Sequence, residues 1–133
     1  MKVAAVKPTI KFQDLDKLDI RVGTIEEVVD IENSDKLVKL IVNFGDHKRN
    51  IVVGLKKERE NPKEIEGKQA LFVVNLESKE MMGVKSEGTL FDASTLLSIN
   101  PEPAERVDIG YSDGIIPVLA VPEKKVPDGT KAG

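Results

Sequence analysis

The chain has 133 residues, a formal net charge of −3 and no cysteine, which fits one folded domain and excludes disulfides, thiolate metal sites and cysteine nucleophiles. No apolar run reaches the roughly 20 residues that a membrane-spanning helix needs, and residues 1–11 lack the apolar core of a secretory signal. We therefore expect a cytoplasmic protein with no membrane partner.

The first half of the chain predicts a flexible tail, a short helix and three strands. Residues 1–10 carry little pattern, whereas apolar residues recur at every third position over residues 12–18, which is typical of a short helix with one apolar stripe. Alternating apolar residues from Asp19 onward predict the first strand, and Gly23 inside it indicates a bulge or a sharp bend. Two further strands are predicted over residues 37–44 and 49–55, joined by a hairpin turn at residues 45–47.

The second half of the chain predicts another short helix and two more strands. Asn61-Pro62 has the form of a helix start, and Gly67 has the form of a helix stop. The apolar run within residues 69–75 predicts a buried strand, and residues 83–91 predict a turn followed by a strand.

Together these elements indicate a mainly all-β domain with a C-terminal extension. About five short strands with one or two short helices fit a five-stranded, partly open OB-fold barrel better than a sandwich. We assign the barrel to residues 11–97 and the extension, where prolines are frequent, to residues 98–133. Apolar segments at residues 106–109 and 115–121 predict a short strand pair within that extension.

No residue pattern indicates catalysis, and we expect a protein without enzymatic activity, cofactor or metal. The one histidine, His47, falls in the predicted hairpin turn and is interpreted as a solvated turn residue, because a lone histidine does not make a typical metal site. None of the serines lies in a nucleophile-elbow motif. The sequence also lacks a Walker phosphate loop and the pattern G-x-G-x-x-G.

Positive charge is concentrated in one stretch of an otherwise acidic chain. Residues 26–35 hold five acidic and no basic residues, whereas residues 46–59 hold five basic and two acidic residues. A basic strand and loop can neutralise phosphates and release counterions, although a solvated charged surface explains the same pattern. Most of the four phenylalanines are interpreted as core residues, and the chain has no tryptophan and one tyrosine, so we expect no exposed aromatic platform of the kind on which single-strand binders stack bases.

Six motifs, in the same order and spacing, resemble those of one known family. They are Leu18-Asp19-Ile20-Arg21-Val22-Gly23, Ser34-Asp35-Lys36-Leu37, Lys48-Arg49-Asn50-Ile51-Val52 with Gly54-Leu55, Gly67-Lys68, Asn75-Leu76 and Gly83-Val84-Lys85-Ser86-Glu87-Gly88. Over about residues 11–93 the chain is similar to the tRNA-binding domain family. That family includes the C-terminal appendage of methionyl-tRNA synthetases, free-standing structure-specific tRNA-binding proteins and the endothelial-monocyte-activating-polypeptide domain.

The resemblance implies an OB-fold that binds tRNA by shape, with little sequence preference. It also implies a homodimer whose interface is built largely by residues after the barrel, and it suggests an aminoacyl-tRNA synthetase as a partner. Some of the candidate RNA-binding residues also have a purely structural interpretation. Arg21 can be a solvated strand residue, Asn75 can cap the backbone, and Ser86 can satisfy the hydrogen bonds of the last turn. The candidate RNA-binding residues are Arg21, Lys36, Lys39, Arg49, Asn75, Lys85 and Ser86.

Several positions depart from the family pattern. Val53 stands where the family has a small serine, and Thr89 stands where it has methionine. Residues 77–82 carry one lysine and two acids, where family members have a loop with several bases. A chaperone-like, peptide-binding protein of the same fold and a dimerisation or scaffold module are therefore alternatives. The adjacent Met81-Met82 favours the chaperone, since flexible methionines suit promiscuous apolar surfaces.

Overall fold

The computed structural model describes residues 5–56, 59–94 and 117–133, and strands make up most of the regular structure in those ranges. They also contain a short helix, α1, over Phe12–Leu15, and a 3₁₀ turn over Pro62–Ile65. The strands are β1 Ile20–Asp30, β2 Val38–Asn43, β3 Lys48–Val53, β4 Gln69–Val73, β5 Lys79–Met81, β6 Val84–Ser86, β7 Thr89–Leu90, β8 Asp92–Ser94, β9 Pro117–Leu119 and β10 Lys131–Ala132. The mainly all-β class is confirmed. No helix in the described ranges is long and apolar enough to span a bilayer.

The strand β1 is the centre of a curled antiparallel sheet with the order β3-β2-β1-β4-β7. Its residues 24–30 pair with β2 and its residues 20–24 pair with β4, so that the sheet curls around one long strand as it does in an OB-fold half-barrel. The predicted bulge at Gly23 is displaced, because pairing runs regularly through Gly23 and the register shifts between Ile25 and Glu27 instead.

Packing, and not a bulge, requires the glycine at position 23. A Cβ there would lie 2.5 Å from Cγ1 of Val42 and 2.9 Å from Cε1 of Phe44, distances at which the valine and the aromatic ring must shift. The Phe44 ring therefore occupies the space that a side chain on β1 would fill.

The core is made by the inward-facing positions of β1 to β4 and by the 3₁₀ turn. Ile25, Leu40, Ile51, Ile65 and Phe72 are fully buried, and burial of each such side chain stabilises the fold by about 1.5–3 kcal/mol. The 3₁₀ turn closes one end of the barrel, where the backbone N–H of Gly67 donates to the Ile25 carbonyl at 2.7 Å.

The N-terminal segment lies outside this core. The helix α1 begins where the sequence predicts but covers only four residues and buries none of them. Its apolar stripe is exposed, with Phe12 at 86% and Leu15 at 53%. The stripe predicted from the sequence is thus present but is uncovered in the single chain.

Residues 117–133 pack onto the barrel. β10 pairs with β1 at Ile20 and Arg21, and the Gly129 N–H donates to the Val22 carbonyl at 2.7 Å. Asp128 accepts hydrogen bonds from Thr24 and Gln69 at 2.6 and 3.0 Å. Within the predicted segment 115–121, β9 pairs with β8, whereas residues 106–109 lie outside the described ranges.

Candidate nucleic-acid interface

Three of the predicted lysines lie on neighbouring elements, and we call them together the lysine face: Lys36, Lys39 and Lys85. Lys36 is exposed in the loop between β1 and β2, and Lys39 lies on β2 between buried neighbours, so that its side chain faces away from the core. Lys39 is opposite Val52 of β3, and the Val52 N–H donates to Oγ of Ser86, the neighbour of Lys85. The outer surface of β2 and β3 and the flanking loops is where OB-folds bind oligonucleotides.

The lysine face is electrostatically available. Within the described residues, none of its three ammonium groups forms an ion pair, whereas Lys48 pairs with Glu26 and Lys56 pairs with Asp30. An unpaired surface lysine keeps its full charge for a phosphate ligand. The basic stretch recognised in the sequence therefore contributes less free charge than its composition indicates.

Ser86 fixes the position of Lys85 and does not itself face solvent. The serine is 3% exposed, and its hydroxyl accepts from the Val52 N–H at 2.9 Å and donates to the Gly88 carbonyl at 3.1 Å. Both hydrogen-bonding functions of the hydroxyl are thus used inside the protein. The Ser86 hydroxyl thus satisfies the hydrogen bonds of the turn, which is the structural interpretation that the sequence left open. Its contact with RNA stays a prediction.

We expect Ser86→Ala to destabilise the fold by about 1–3 kcal/mol, because the buried N–H of Val52 loses its acceptor. Chemical unfolding followed by circular dichroism measures the change. Ser78→Ala, at an exposed position of the preceding loop, is the control and should change the free energy of unfolding by less than about 0.5 kcal/mol. Equal stability of the two variants would contradict the internal role of the Ser86 hydroxyl.

Arg49 lies on the inner side of the sheet and ties the barrel together. It is opposite the buried Val42, and its Nη1 donates to the carbonyls of Val74 and Glu87 at 2.7 and 3.1 Å. Its Nε donates to Nε2 of His47 at 3.0 Å. The Arg49 guanidinium therefore links Val74, just after β4, to Glu87, just before β7. This is a structural role besides the predicted contact with RNA.

Arg21 is paired with an acid two residues earlier in the chain. Its Nε and Nη2 donate to the Asp19 carboxylate at 2.6 and 3.1 Å. The hydrogen bond from Arg21 holds the pKa of Asp19 below its usual range, although partial desolvation acts in the opposite direction. Because Asp19 offsets its charge, Arg21 is a weaker phosphate ligand than an unpaired arginine.

Asn75 joins the end of β4 to the start of β1. Its Oδ1 accepts from the Asp19 N–H at 2.8 Å, and its Nδ2 donates to the Lys17 carbonyl at 2.6 Å. The side chain thus caps two backbone groups, which is the structural alternative that the sequence left open.

A cavity of about 440 Å³ opens at the mouth of the barrel beside Arg21 and Arg49. We call it the mouth cavity, and its lining residues are Asp19, Arg21, Phe44, Gly45, Asp46, His47, Arg49, Val74, Asp128 and Gly129. Sequence reasoning missed it because His47 was interpreted as a solvated turn residue. His47 is indeed exposed in this turn, and its ring also stacks on Phe44 with centroids 5.7 Å apart and an interplanar angle of 25°.

Asp46 completes this part of the mouth cavity. Its Oδ1 lies 2.6 Å from Nδ1 of His47, and this hydrogen bond holds the pKa of Asp46 below its usual range. Since Arg49 Nε can only donate, Nε2 of His47 must be the acceptor, so that Nδ1 carries the proton toward Asp46. Asp46 is therefore a carboxylate beside an imidazole ring that Asp46 and Arg49 hold in one orientation.

A second basic surface comes from residues that the sequence assigned to the extension. We call it the C-terminal groove, and its lining residues are Thr24, Gly67, Lys68, Gln69, Val121, Pro122, Lys124 and Lys125. Lys68, Lys124 and Lys125 form no ion pair within the three described ranges. Only the folding of residues 117–133 onto β4 brings these lysines together, so no sequence pattern indicated the groove.

The described ranges contain no cluster of three or more metal-ligating side chains. The geometry is that of a binding surface that combines an unpaired lysine face with a polar cavity.

Comparisons with known proteins identify the same domain type. A family described as "Putative tRNA binding domain" matches residues 20–131. Methionine–tRNA ligase of Methanothrix thermoacetophila is 40% identical over 123 residues, which cover 92% of this chain and 15% of the ligase. The ligase of Archaeoglobus fulgidus is 35% identical over 125 residues, covering 94% of this chain and 16% of the ligase. The chain thus spans about one sixth of the length of these curated relatives.

Solved structures share the fold over nearly the whole chain. The MetRS-related protein from Pyrococcus horikoshii has a TM-score of 0.73 and 30% identity, covering 96% of this chain and all of that protein. The chaperone CsaA from Picrophilus torridus has a TM-score of 0.70 and 27% identity, covering 94% of this chain and all of that protein. Both similarities include the barrel and the segment that packs on it.

Proposed function

The chain belongs to the tRNA-binding domain family, and from that premise we propose that it binds tRNA on the lysine face and catalyses no reaction on it. The observation that carries the proposal is the set of three unpaired lysines on the surface that OB-folds use for oligonucleotides. Contacts to phosphates position a nucleic acid without reading its sequence. We therefore expect the protein to recognise the shape of tRNA and not its base sequence.

Competition binding tests this proposal. We expect a folded tRNA transcript to displace a labelled tRNA at least tenfold more effectively than an unstructured RNA of equal length, because a fixed set of lysines matches phosphates in a fixed arrangement. Equal competition by the two RNAs would reduce the function to general polyanion binding. Absence of tRNA binding at low salt would sink the proposal.

A peptide-binding, chaperone-like role is the second candidate. Two observations favour it: the similarity to CsaA chaperones and the exposure of Leu76 at 48% and Met82 at 55% beside the β5–β6 hairpin. This function predicts that the protein suppresses aggregation of a denatured client with little dependence on salt, and that Met82→Ser weakens the effect. Light scattering of an aggregating client measures it, and an unprotected client removes the candidate.

We also propose a homodimer, which the exposed apolar residues of the N-terminal segment support. Ile10, Phe12, Leu15 and Leu18 are all exposed in the single chain, and contiguous exposed apolar residues are typical of protein interfaces. Val118 and Val121, in the extension for which the sequence predicts dimer contacts, are exposed too. A synthetase partner and a cytoplasmic location stay predictions from the sequence.

Light scattering coupled to size exclusion should give twice the 14.6 kDa mass of one chain. Phe12→Ser combined with Leu15→Ser should shift the protein toward the monomer, because the second copy loses its apolar contact. The matched control is Lys7→Ser combined with Lys11→Ser, which changes two exposed polar residues of the same segment. A wild-type mass of 14.6 kDa would contradict the dimer.

A further inference from the structure

The mouth cavity differs from the lysine face in the chemistry that it presents. It places two guanidinium groups, Arg21 and Arg49, next to the carboxylates of Asp19 and Asp46. Asp128 also lines the cavity, so three carboxylates face two guanidinium groups, and a phosphate entering the cavity would meet an excess of negative charge. The cavity therefore suits a neutral ligand that carries hydrogen-bond donors and acceptors together.

Two hydrogen-bonding groups in the cavity are unused. Arg49 donates through Nε and Nη1, which leaves its Nη2 without a partner among the described residues. Asp46 accepts a hydrogen bond from His47 through Oδ1, and its side chain is 91% exposed, so that the carboxylate has room for a further donor. One donor and one acceptor are thus held in place, since the guanidinium is anchored on two carbonyls and the carboxylate on His47.

The exposed imidazole ring of His47 lies between these groups, since Nδ1 bonds to Asp46 and Nε2 bonds to Arg49. Phe72 meets Phe44 edge-on at 5.5 Å in the core, and Phe44 stacks on His47 at 5.7 Å. The outward face of the His47 ring continues this series toward solvent, because the residue is exposed. A planar heterocycle placed there extends the stack, and a stacked base gains on the order of tenfold to a hundredfold in affinity from such a contact.

On the basis of the proposed function, we propose that the mouth cavity binds one unpaired guanine of the RNA, stacked on His47 between Arg49 and Asp46. Guanine presents O6 and N7 as acceptors, which arginine recognises, and N1–H and an amino group as donors, which suit a carboxylate. Adenine carries a donor beside N7 where guanine carries O6. Uracil and cytosine have no N7, so neither offers Arg49 the pair of acceptors that guanine presents.

Short single-stranded RNAs that differ in one base test the proposal. We expect 5′-UUGUU-3′ to bind about tenfold more tightly than 5′-UUAUU-3′ in fluorescence anisotropy at low salt. The same RNA with inosine, which lacks the amino group that faces Asp46, should lose most of the preference. Equal affinity for the guanine and adenine RNAs would overturn the proposal.

Two variants separate base recognition from overall RNA affinity. Asp46→Ala should reduce the guanine preference to less than about threefold, whereas His47→Ala should weaken all the short RNAs by about tenfold. Glu27→Ala removes the same charge from an exposed position on β1 and should leave the preference unchanged. A preference that survives Asp46→Ala would also overturn the proposal.

The binding experiments distinguish a failure of the proposed tRNA binding from a failure of the guanine site. If folded tRNA does not bind the wild-type protein, tRNA binding itself is wrong. If tRNA binds and its affinity depends on the lysine face, but the short RNAs show no guanine preference, only the guanine site is wrong.

Discussion

Reversing the three charges of the lysine face should weaken tRNA binding by at least about 100-fold at 50 mM salt. The variant combines Lys36→Glu, Lys39→Glu and Lys85→Glu, and each change replaces an attraction to phosphate with a repulsion. All three side chains lie on the outer surface of the barrel, where charge reversal leaves the buried core intact. Filter binding or fluorescence anisotropy measures the affinity, and circular dichroism verifies that the variant is folded.

The C-terminal groove supplies a control with the same change in net charge. Lys68→Glu, Lys124→Glu and Lys125→Glu also reverse three unpaired lysines, but on a surface that includes Thr24 and Gln69. These lysines lie outside the strand 2–3 face that OB-folds use for oligonucleotides, so we expect a loss below about fivefold. Equal losses in the two triple variants would show that net charge, and not the lysine face, governs the affinity.

Arg49→Ala should destabilise the protein by about 2–3 kcal/mol, which is a large part of the stability of a domain of this size. The change removes hydrogen bonds from a charged donor to the Val74 and Glu87 carbonyls, each worth about 1.5–3 kcal/mol before water replaces some of them. Urea unfolding followed by circular dichroism measures the effect.

Lys48→Ala is the matched control for Arg49→Ala. Lys48 is the neighbouring cation and pairs with Glu26 on the surface, and such exposed pairs contribute about 0–1 kcal/mol. If both variants lose the same stability, the tethering role of Arg49 is wrong. The expected difference also means that charge reversal at Arg49 perturbs folding as well as RNA affinity, so the lysines are the better probes of binding.

The parts of the site that depend on strand alternation could be predicted from the sequence. Lys39 lies between the apolar residues Val38 and Leu40, and that pattern alone places its side chain on the outer surface of β2. The same alternation, together with glycine-marked turns, gave the four main strands and the short turn that contributes Ile65. Family resemblance then supported the OB-fold that the strand pattern indicates and supplied the candidate binding residues, whose contacts with RNA stay predictions.

The remaining parts depend on contacts between distant residues. Asn75 bonds to Lys17 and Asp19, and Arg49 reaches the Val74 and Glu87 carbonyls, so their structural roles arise only once the chain has folded. The stack of His47 on Phe44 likewise needs the closed hairpin.

Charge counting along the sequence overestimated the available positive charge. It treated each base as free, whereas Lys48 and Lys56 are paired with acids on β1. It also missed Lys68, Lys124 and Lys125, which meet only because residues 117–133 pack on the barrel.

The salt dependence of tRNA binding tests the central claim most directly. A titration of the wild-type protein and the lysine-face variant between 50 and 200 mM salt gives the slope of log affinity against log salt. Each phosphate contact contributes about −0.7 to −0.9, so three lysines predict a slope of about −2 to −3 for the wild type and a much shallower slope for the variant. No tRNA binding by the wild-type protein at 50 mM salt, or identical slopes for both proteins, would contradict tRNA binding through the lysine face.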